Sequence, residues 1–117
     1  MKRPDSQSKQ KWIEIIDKGL LGVWNTRGIS YFFTGKYIGD KTATLIFTKD
    51  KTSVDYHYKI DLEGANEDVI LSIIHQEKVI SIYKIVDIVI HQKQKELTLV
   101  DSLGKEIHFI SQSYIYR

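Results

Sequence analysis

The sequence predicts an all-β protein, an antiparallel up-and-down barrel or strongly coiled meander preceded by a short N-terminal helix. Apolar residues recur at helical spacing only before residue 21, whereas apolar and polar residues alternate in short segments after it. Polar turns join these segments and no second helix separates them, which favours antiparallel pairing. About seven or eight strands in roughly ninety residues suit a small barrel better than a two-layer α/β fold.

Length and composition limit the functions to consider. The 117 residues fit one domain, and we expect a disordered arm over residues 1–8 followed by a single domain over residues 9–117. Seventeen basic against 15 acidic residues give a net charge of +2, which does not favour a nucleic-acid partner. No cysteine is present, so disulfides and thiol nucleophiles are excluded. No stretch predicts a membrane span or a secretory signal, and we expect a cytoplasmic protein.

One amphipathic helix is predicted near the N-terminus. Its apolar stripe consists of Trp12, Ile13, Ile16 and Leu20. Ser8 stands at its start, and Gly19 suits a left-handed C-cap. A stripe this narrow is typical of a helix packed over the end of a domain, although the flanking lysines also fit a partner-binding or membrane-surface helix.

The segments that follow the predicted helix indicate the first strands of the sheet. Residues 23–33 are rich in β-branched and aromatic side chains and predict one strand that bends at Gly28. Residues 34–41 contain turn-forming residues on both sides of Tyr37, and predict an irregular loop or a short lid. Residues 43–47 and 54–62 then predict a hairpin that turns at residues 49–51 and has one dry and one wet face.

The second half of the chain predicts further hairpins. Residues 69–75 and 79–90 form two strands joined at residues 76–78, and the second is apolar on nearly both faces. That strand is either central or bent near Asp87, so that each half buries a different face. Residues 97–100 and 107–116 supply the last two strands.

No pattern of catalytic residues is recognisable. The four histidines, at positions 57, 75, 91 and 108, form neither a His-x-His pair nor a helical ligand pair. No serine stands in a nucleophile elbow, and no glycine loop has the features of a phosphate site. We therefore expect a protein that is not an enzyme, with no catalytic residue, cofactor or metal.

Single-stranded nucleic acid is the alternative partner class. Aromatic and cationic residues alternate in residues 31–37 and 56–59, as they do where small barrels stack bases. However, Tyr56 and Tyr58 share a face with Val54 and Ile60, so the alternation that places them on one face also buries them.

The chain resembles the lipocalin-like (calycin) superfamily of small β-barrels. A short helix leads into Gly22-Val23-Trp24, and an antiparallel meander ends at Arg117. The resemblance covers residues 12–117 in layout, and its motif residues are Gly22, Trp24 and Arg117. It implies a barrel plugged by Trp24, with Arg117 lying over the indole, and a binding function.

We therefore expect a lipocalin-like binding module for a small apolar ligand inside the barrel or a protein partner on its rim. The expected ligand-binding residues face inward and are Leu45, Phe47, Tyr56, Tyr58, Leu71, Ile73 and Phe109. A protein partner would use the loop from Phe33 to Lys41 or an exposed edge of the last strand.

Overall fold

The computed structural model describes residues 6, 8–26, 28–37, 40–47, 51–90 and 94–111, without the side chains of residues 34–37, 40–47 and 90. One helix and eight strands follow in order: α1 (Lys9–Leu20), β1 (Gly22–Thr26), β2 (Ile29–Tyr37), β3 (Asp40–Phe47), β4 (Thr52–Glu63), β5 (Asp68–His75), β6 (Lys78–Ile90), β7 (Lys95–Val100) and β8 (Glu106–Ser111). The strands form a closed barrel in sequence order, and every neighbouring pair is antiparallel. The predicted all-β fold is confirmed.

Helix α1 begins where the sequence predicts but ends differently. Ser8 is the N-cap, and its hydroxyl accepts a hydrogen bond from the backbone amide of Lys11 at 3.1 Å. Gly19 is not a left-handed cap, because the helix continues to Leu20. The positive φ falls instead on Gly22, at 121°, where the chain turns sharply from the helix into β1.

The first two strands form a hairpin, so the prediction of one bent strand over residues 23–33 was wrong. β1 and β2 pair from Gly22↔Phe33 to Thr26↔Ile29. Gly28, at φ 70°, lies in the connection and permits a tight reversal rather than a bend within one strand. The predicted loop over residues 34–41 is also largely strand, since β2 continues to Tyr37 and β3 starts at Asp40.

Strand β6 carries the predicted change of face. Its register against β7 shifts between Ile85 and Asp87, so Val86 is an extra residue in a β-bulge. Ile85 is buried and Ile88 packs against the core, although they are separated by an odd number of positions. Because of the bulge, apolar side chains from both halves of β6 point into the barrel, although the strand is apolar on both faces.

One core of buried apolar side chains lies inside the barrel and continues onto the buried face of α1. Its buried apolar members are Ile16, Leu20, Trp24, Tyr31, Phe33, Tyr58, Ile60, Val69, Leu71, Ile73, Ile85, Leu97, Leu99 and Phe109. β8 closes the barrel by pairing with β1 at Asn25↔Ile110. The last strand is therefore paired on both sides at Ile110, so the free edge that the sequence suggested for a partner does not include this residue.

Within the described residues, no helix has both the length and the hydrophobicity needed to cross a bilayer. α1, the helix that this part of the chain contains, has 12 residues. A bilayer-spanning helix needs about 20 apolar residues.

Candidate functional site

The two ends of the barrel differ in character. β1 starts directly after α1, and we call the end of the barrel where it starts the helix end. Because neighbouring strands are antiparallel, every odd-numbered strand starts at the helix end and every even-numbered strand ends there. The opposite end, where β2, β4, β6 and β8 start, is the distal end. At the helix end α1 packs over the barrel and is joined to it by Trp24, Lys95 and Tyr58, whereas Tyr31, Tyr56 and Tyr83 come from the distal halves of β2, β4 and β6.

Trp24 occupies the centre of the helix end. Its side chain is fully buried, and its Nε1 donates a hydrogen bond of 2.6 Å to the carbonyl oxygen of Leu20, in the last turn of α1. The indole therefore fills apolar space and also satisfies one of the helix carbonyls that has no partner within the helix. This is the plugging position that the sequence predicts for Trp24.

Lys95 is the cation that lies over Trp24. Its Nζ is 5.0 Å from the centre of the indole ring, within the range of a cation–π contact. The same Nζ donates to the carbonyl oxygens of Gly19 at 3.2 Å and Leu21 at 3.0 Å. A positive charge at a helix C-terminus is favourable, while burial lowers the pKa of Lys95.

From the sequence we expected Arg117, and not Lys95, to lie over the indole of Trp24. Arg117 lies outside the described residues. No local signal marks Lys95, which stands in an ordinary polar turn sequence. Only the β6–β7 and β7–β8 ladders, which pair Lys95 with Ile90 and Ser111, bring the start of β7 under the end of α1.

A second polar contact joins α1 to the barrel. The Tyr58 hydroxyl donates a hydrogen bond of 3.0 Å to Asp17 Oδ1. Burial is the main cause that raises the pKa of Tyr58, and the nearby Asp17 carboxylate raises it further. Tyr58 therefore remains a neutral donor across the physiological pH range and ties the helix to β4.

The distal half of the interior contains a tyrosine cluster, formed by Tyr31, Tyr56 and Tyr83. Burial raises the pKa of Tyr31, and a side-chain hydrogen bond with Tyr83 and the proximity of Tyr56 raise it further. Tyr83 and Tyr56 therefore both lie close to the Tyr31 phenol, and both pack against the apolar core. A phenol can both donate and accept, so the cluster offers hydrogen bonds to a polar group that enters from the distal end.

His75 adjoins the tyrosine cluster at the end of β5. Its ring lies edge-on to Tyr56, with centroids 5.3 Å apart and an interplanar angle of 81°. The imidazole is half-buried, so it borders both the interior and the solvent. The sequence placed His75 beside a turn, where a histidine is commonly only solvated, and missed its contact with Tyr56.

A cleft of about 600 Å³ opens near the distal end, where β1 finishes and β8 begins. Its lining residues are Thr26, Lys105, Glu106, Ile107 and His108. Ile107 belongs to the face of β8 that packs against the core, whereas His108 is exposed and its Nε2 lies 3.4 Å from Glu106 Oε1. The cleft therefore runs from charged surface towards the interior.

The structure separates the predicted ligand-binding residues into groups. Tyr58, Leu71, Ile73 and Phe109 are buried members of the packed core. Tyr56 is partly buried and belongs to the tyrosine cluster. The side chains of Leu45 and Phe47 lie outside the described residues, although their backbones pair with β2 and β4.

The aromatic segments considered for nucleic-acid stacking are mostly internal. Tyr31, Phe33 and Tyr58 are buried, while Phe32 is 39% exposed on the outer face. Tyr31 stacks on Phe33 with centroids 5.6 Å apart, and Phe33 meets Tyr58 edge-on at 5.1 Å. Rings that pack on one another in a core do not offer faces to bases.

The described histidines do not form a metal site. His57 and His108 are exposed on outer faces, whereas His75, which follows the register partner of His57, lies on the opposite face of the sheet beside Tyr56. Among the described residues, no group of three or more His, Asp or Glu side chains is placed to hold a metal ion. His91 lies outside the described residues.

The second tryptophan differs from the first. Trp12 packs against the core from α1, and its buried Nε1 has no hydrogen-bond partner among the described residues. A buried donor without an acceptor costs about 1–3 kcal/mol. The Trp12 donor is therefore unsatisfied there, whereas the Trp24 donor in β1 is satisfied by Leu20.

Comparison with known proteins adds no relative. No protein-family model matches the chain, and neither a curated protein nor a solved structure gives a significant match. Function has to be inferred from this chain's own residues, among which the tyrosine cluster is the most distinctive internal feature.

Proposed function

We propose that this protein is a non-catalytic, lipocalin-like binding module. Its ligand would be a small, mainly apolar molecule with a hydrogen-bonding group. The tyrosine cluster of Tyr31, Tyr56 and Tyr83 is the observation that carries the proposal, because it places phenols beside one another against an apolar core. Ligand sites typically combine apolar walls with a few convergent polar groups.

The chemistry of the cluster favours binding over catalysis. Burial raises the pKa of Tyr31, so its phenol stays protonated at neutral pH and acts as a hydrogen-bond donor rather than as a base. The favoured ligand group is an acceptor such as a carbonyl, hydroxyl or carboxylate oxygen. The apolar body of the ligand would lie towards the distal end.

In this proposal the cleft beside Ile107 is the route by which a ligand enters the barrel. It adjoins the distal end on the β1–β8 side, whereas Trp24 and Lys95 close the helix end. The packed positions of Leu71, Ile73 and Phe109 form the floor of the site in this proposal, and Tyr56 is its wall. A ligand would enter from the distal end and stop above this floor.

The eight-stranded up-and-down layout supports the lipocalin-like assignment as part of the same proposal. Gly22 turns the chain out of the helix and Trp24 plugs the barrel, as the resemblance implies.

The proposal is tested by calorimetric titration with dodecane-chain probes that differ in the end group: dodecanol, dodecanoate and dodecyltrimethylammonium. We expect the two acceptor-bearing probes to bind, and the cationic probe to bind more weakly because it offers no acceptor. Tyr83→Phe should weaken dodecanol about five- to tenfold, the value of one hydrogen bond.

Tyr58→Phe is the matched control, because it makes the same substitution at a tyrosine whose hydroxyl is committed to Asp17 of α1. The affinity of the Tyr58→Phe variant for dodecanol should stay within about twofold of the affinity of the unmodified protein. Absence of binding by all three probes, together with a native mass spectrum that shows only the bare chain, would refute the proposal.

A further inference from the structure

The join between the first and last strands changes along its length. Among the described residues, β1 pairs with β8 at Asn25↔Ile110, and no pair lies closer to the distal end. Thr26 and residues 105–108 lie beyond this pair, where they line the two sides of the cleft of about 600 Å³. We call the join of β1 and β8 from Asn25 and Ile110 to the distal end the seam.

The other ladders of the barrel are longer. The β1–β2 ladder has five described pairs, and each of the remaining six ladders has six or seven. Every backbone hydrogen bond across a ladder opposes separation of its two strands. Among the described ladders, the seam is therefore where the barrel opens by breaking the fewest hydrogen bonds.

Each side of the seam is held together within its own hairpin. On one side, the Ser30 hydroxyl donates a hydrogen bond to Asn25 Oδ1 across the β1–β2 ladder. On the other side, Thr98 Oγ1 and His108 Nδ1 are 3.1 Å apart across the β7–β8 ladder. Ile110 faces Asn25 across the seam, and its aliphatic side chain cannot form a hydrogen bond. The β1–β2 and β7–β8 hairpins can therefore separate as two intact units.

At the helix end, both hairpins are fastened to α1. Trp24 of β1 donates a hydrogen bond to the carbonyl oxygen of Leu20. Lys95 of β7 donates to the carbonyl oxygens of Gly19 and Leu21, and β7 holds β8 through their shared ladder. Because these contacts lie at the helix end, a movement at the seam is a rotation about that end.

The tyrosine cluster adjoins the seam on the inside of the barrel. The ring of Tyr31 lies 5.8 Å from the ring of Phe109 in β8, with an interplanar angle of 57°. Ile107 lies two residues before Phe109 on the same face of β8, and it lines the cleft. A rotation that carries β8 away from β1 therefore separates Phe109 from Tyr31 and extends the cleft towards the cluster.

We propose that the seam is a gate that opens by rotation of the β7–β8 hairpin away from the β1–β2 hairpin about the helix end. In the open state the cleft reaches the tyrosine cluster, and in the closed state Phe109 packs against Tyr31. The role of the gate as the entrance for an apolar ligand rests on the function proposed above, whereas its opening does not.

The test uses a disulfide that holds the seam closed. The chain has no cysteine, so Asn25→Cys combined with Ile110→Cys introduces a single pair, and we call this the seam variant. Residues that face each other across antiparallel strands have Cα atoms about 4.5–5.5 Å apart, which a disulfide can span. Both positions are exposed on the outer face, so the bond does not enter the interior.

Glu96→Cys combined with Ile110→Cys is the matched control variant. Glu96 pairs with Ile110 on the β7 side and is also exposed. The control disulfide shares one cysteine with the seam variant but joins β8 to β7, within one hairpin. The reduced form of each variant reports the effect of the substitutions without the bond, and circular dichroism verifies that each variant is folded.

Hydrogen exchange measures the opening of the seam without a ligand. In the unmodified protein, the amides of Asn25, Thr26 and residues 108–110 should exchange at least about tenfold faster than those of the β4–β5 ladder. Oxidation of the seam variant should slow this exchange at least about tenfold, because the disulfide prevents separation of the strands. Oxidation of the control variant should change it less than about twofold.

Dodecanol binding measures passage through the gate. Stopped-flow measurement of the fluorescence of the protein's own aromatic residues gives the association rate. Oxidation of the seam variant should lower this rate at least about fivefold and change the affinity much less, because a closed gate slows entry and exit alike. The control variant should bind dodecanol at the same rate in its oxidised and reduced forms.

Three results would overturn the proposal. One is exchange at the seam of the unmodified protein that is as slow as in the β4–β5 ladder. Another is an equal effect of the two disulfides on exchange, because β8 would then loosen from both of its neighbours. The third is an association rate that oxidation of the seam variant leaves unchanged, because the ligand would then enter elsewhere. If dodecanol does not bind at all, the ligand-binding function fails, and hydrogen exchange still decides whether the seam opens.

Discussion

Lys95 Nζ lies 5.0 Å above the indole of Trp24 and donates hydrogen bonds to the carbonyl oxygens on both sides of the helix end, Gly19 and Leu21. One ammonium group therefore connects β7, β1 and α1. Because the ring itself donates to Leu20, the last turn of α1 is held by two side chains from the barrel.

Lys95→Met should destabilise the protein by about 1–2 kcal/mol, since the aliphatic part is retained while the charge and two hydrogen bonds are lost. Lys95→Arg should recover part of this loss. Urea unfolding at pH 7 measures both. Equal stability of Lys95→Met and the unmodified protein would show that the ammonium group contributes nothing.

The pH dependence of this contact has a definite sign. Burial lowers the pKa of Lys95 in the folded protein below 10.5, so the unfolded chain binds more protons as the pH approaches that value. The contribution of this group to the free energy of unfolding therefore increases between the lowered pKa and about 10.5. Lys95→Met should lack this increase when unfolding is measured across pH 8–10.5.

Tyr31 and Tyr58 predict the opposite trend at higher pH. Burial raises the pKa of both phenols in the folded state, so above about pH 10 only the unfolded chain ionises. Stability should then fall by up to about 1.4 kcal/mol per pH unit for each tyrosine. Urea unfolding at pH 9–11.5 should show a smaller slope in Tyr58→Phe, whereas an unchanged slope would contradict the prediction.

The two tryptophans should respond differently to the same substitution. Trp24→Phe leaves the Leu20 carbonyl without its donor and creates a cavity, so it should cost about 2–4 kcal/mol. Trp12→Phe removes a buried donor that has no acceptor, so its effect should lie within about 1 kcal/mol of zero. Thermal unfolding measures the difference, and equal costs would contradict the assignment of Trp12 as unsatisfied.

Removing the extra residue of the β6 bulge should leave the faces of the strand unchanged. Deletion of Val86 would make Ile85↔Leu99 and Asp87↔Thr98 consecutive pairs of one regular ladder, so Asp87 stays on the outer face and we expect a variant that still unfolds cooperatively, with a loss of stability of less than about 3 kcal/mol. Val86→Ala keeps the residue count and changes a side chain that is 36% exposed, so it should cost less than about 1 kcal/mol. Loss of cooperative unfolding in the deletion variant would contradict the assignment of Val86 as the extra residue.

The sequence predicts this fold well because its strongest signals are local. Ser8 starts a helix through a hydrogen bond three residues away, and the alternation of residues 54–62 requires one dry face. The prediction for Gly28 was wrong because the sequence looks the same whether a glycine bends a single strand or lies in the turn between two strands. The turn had to be recognised from the pairing of Val23 with Phe32.

The functional features are less predictable because they depend on contacts between distant strands. Tyr56 was among the expected ligand residues, but its neighbours Tyr31 and His75 come from two other strands. The seam likewise joins strands from opposite ends of the chain, which no local pattern marks. Alternation predicts which face a residue occupies and leaves open which end of the barrel it reaches.

The pairing of Asn25 with Ile110 has a consequence for biosynthesis. Every other ladder joins strands that are adjacent in the chain, so hairpins can form as the polypeptide emerges from the ribosome. The closing ladder must wait until β8 has been made, and until then the flanks of β1 and the interior remain accessible to water and to chaperones. Barrel closure is therefore expected to be the slow, post-translational step of folding, and truncation before β8 should leave an aggregation-prone open sheet.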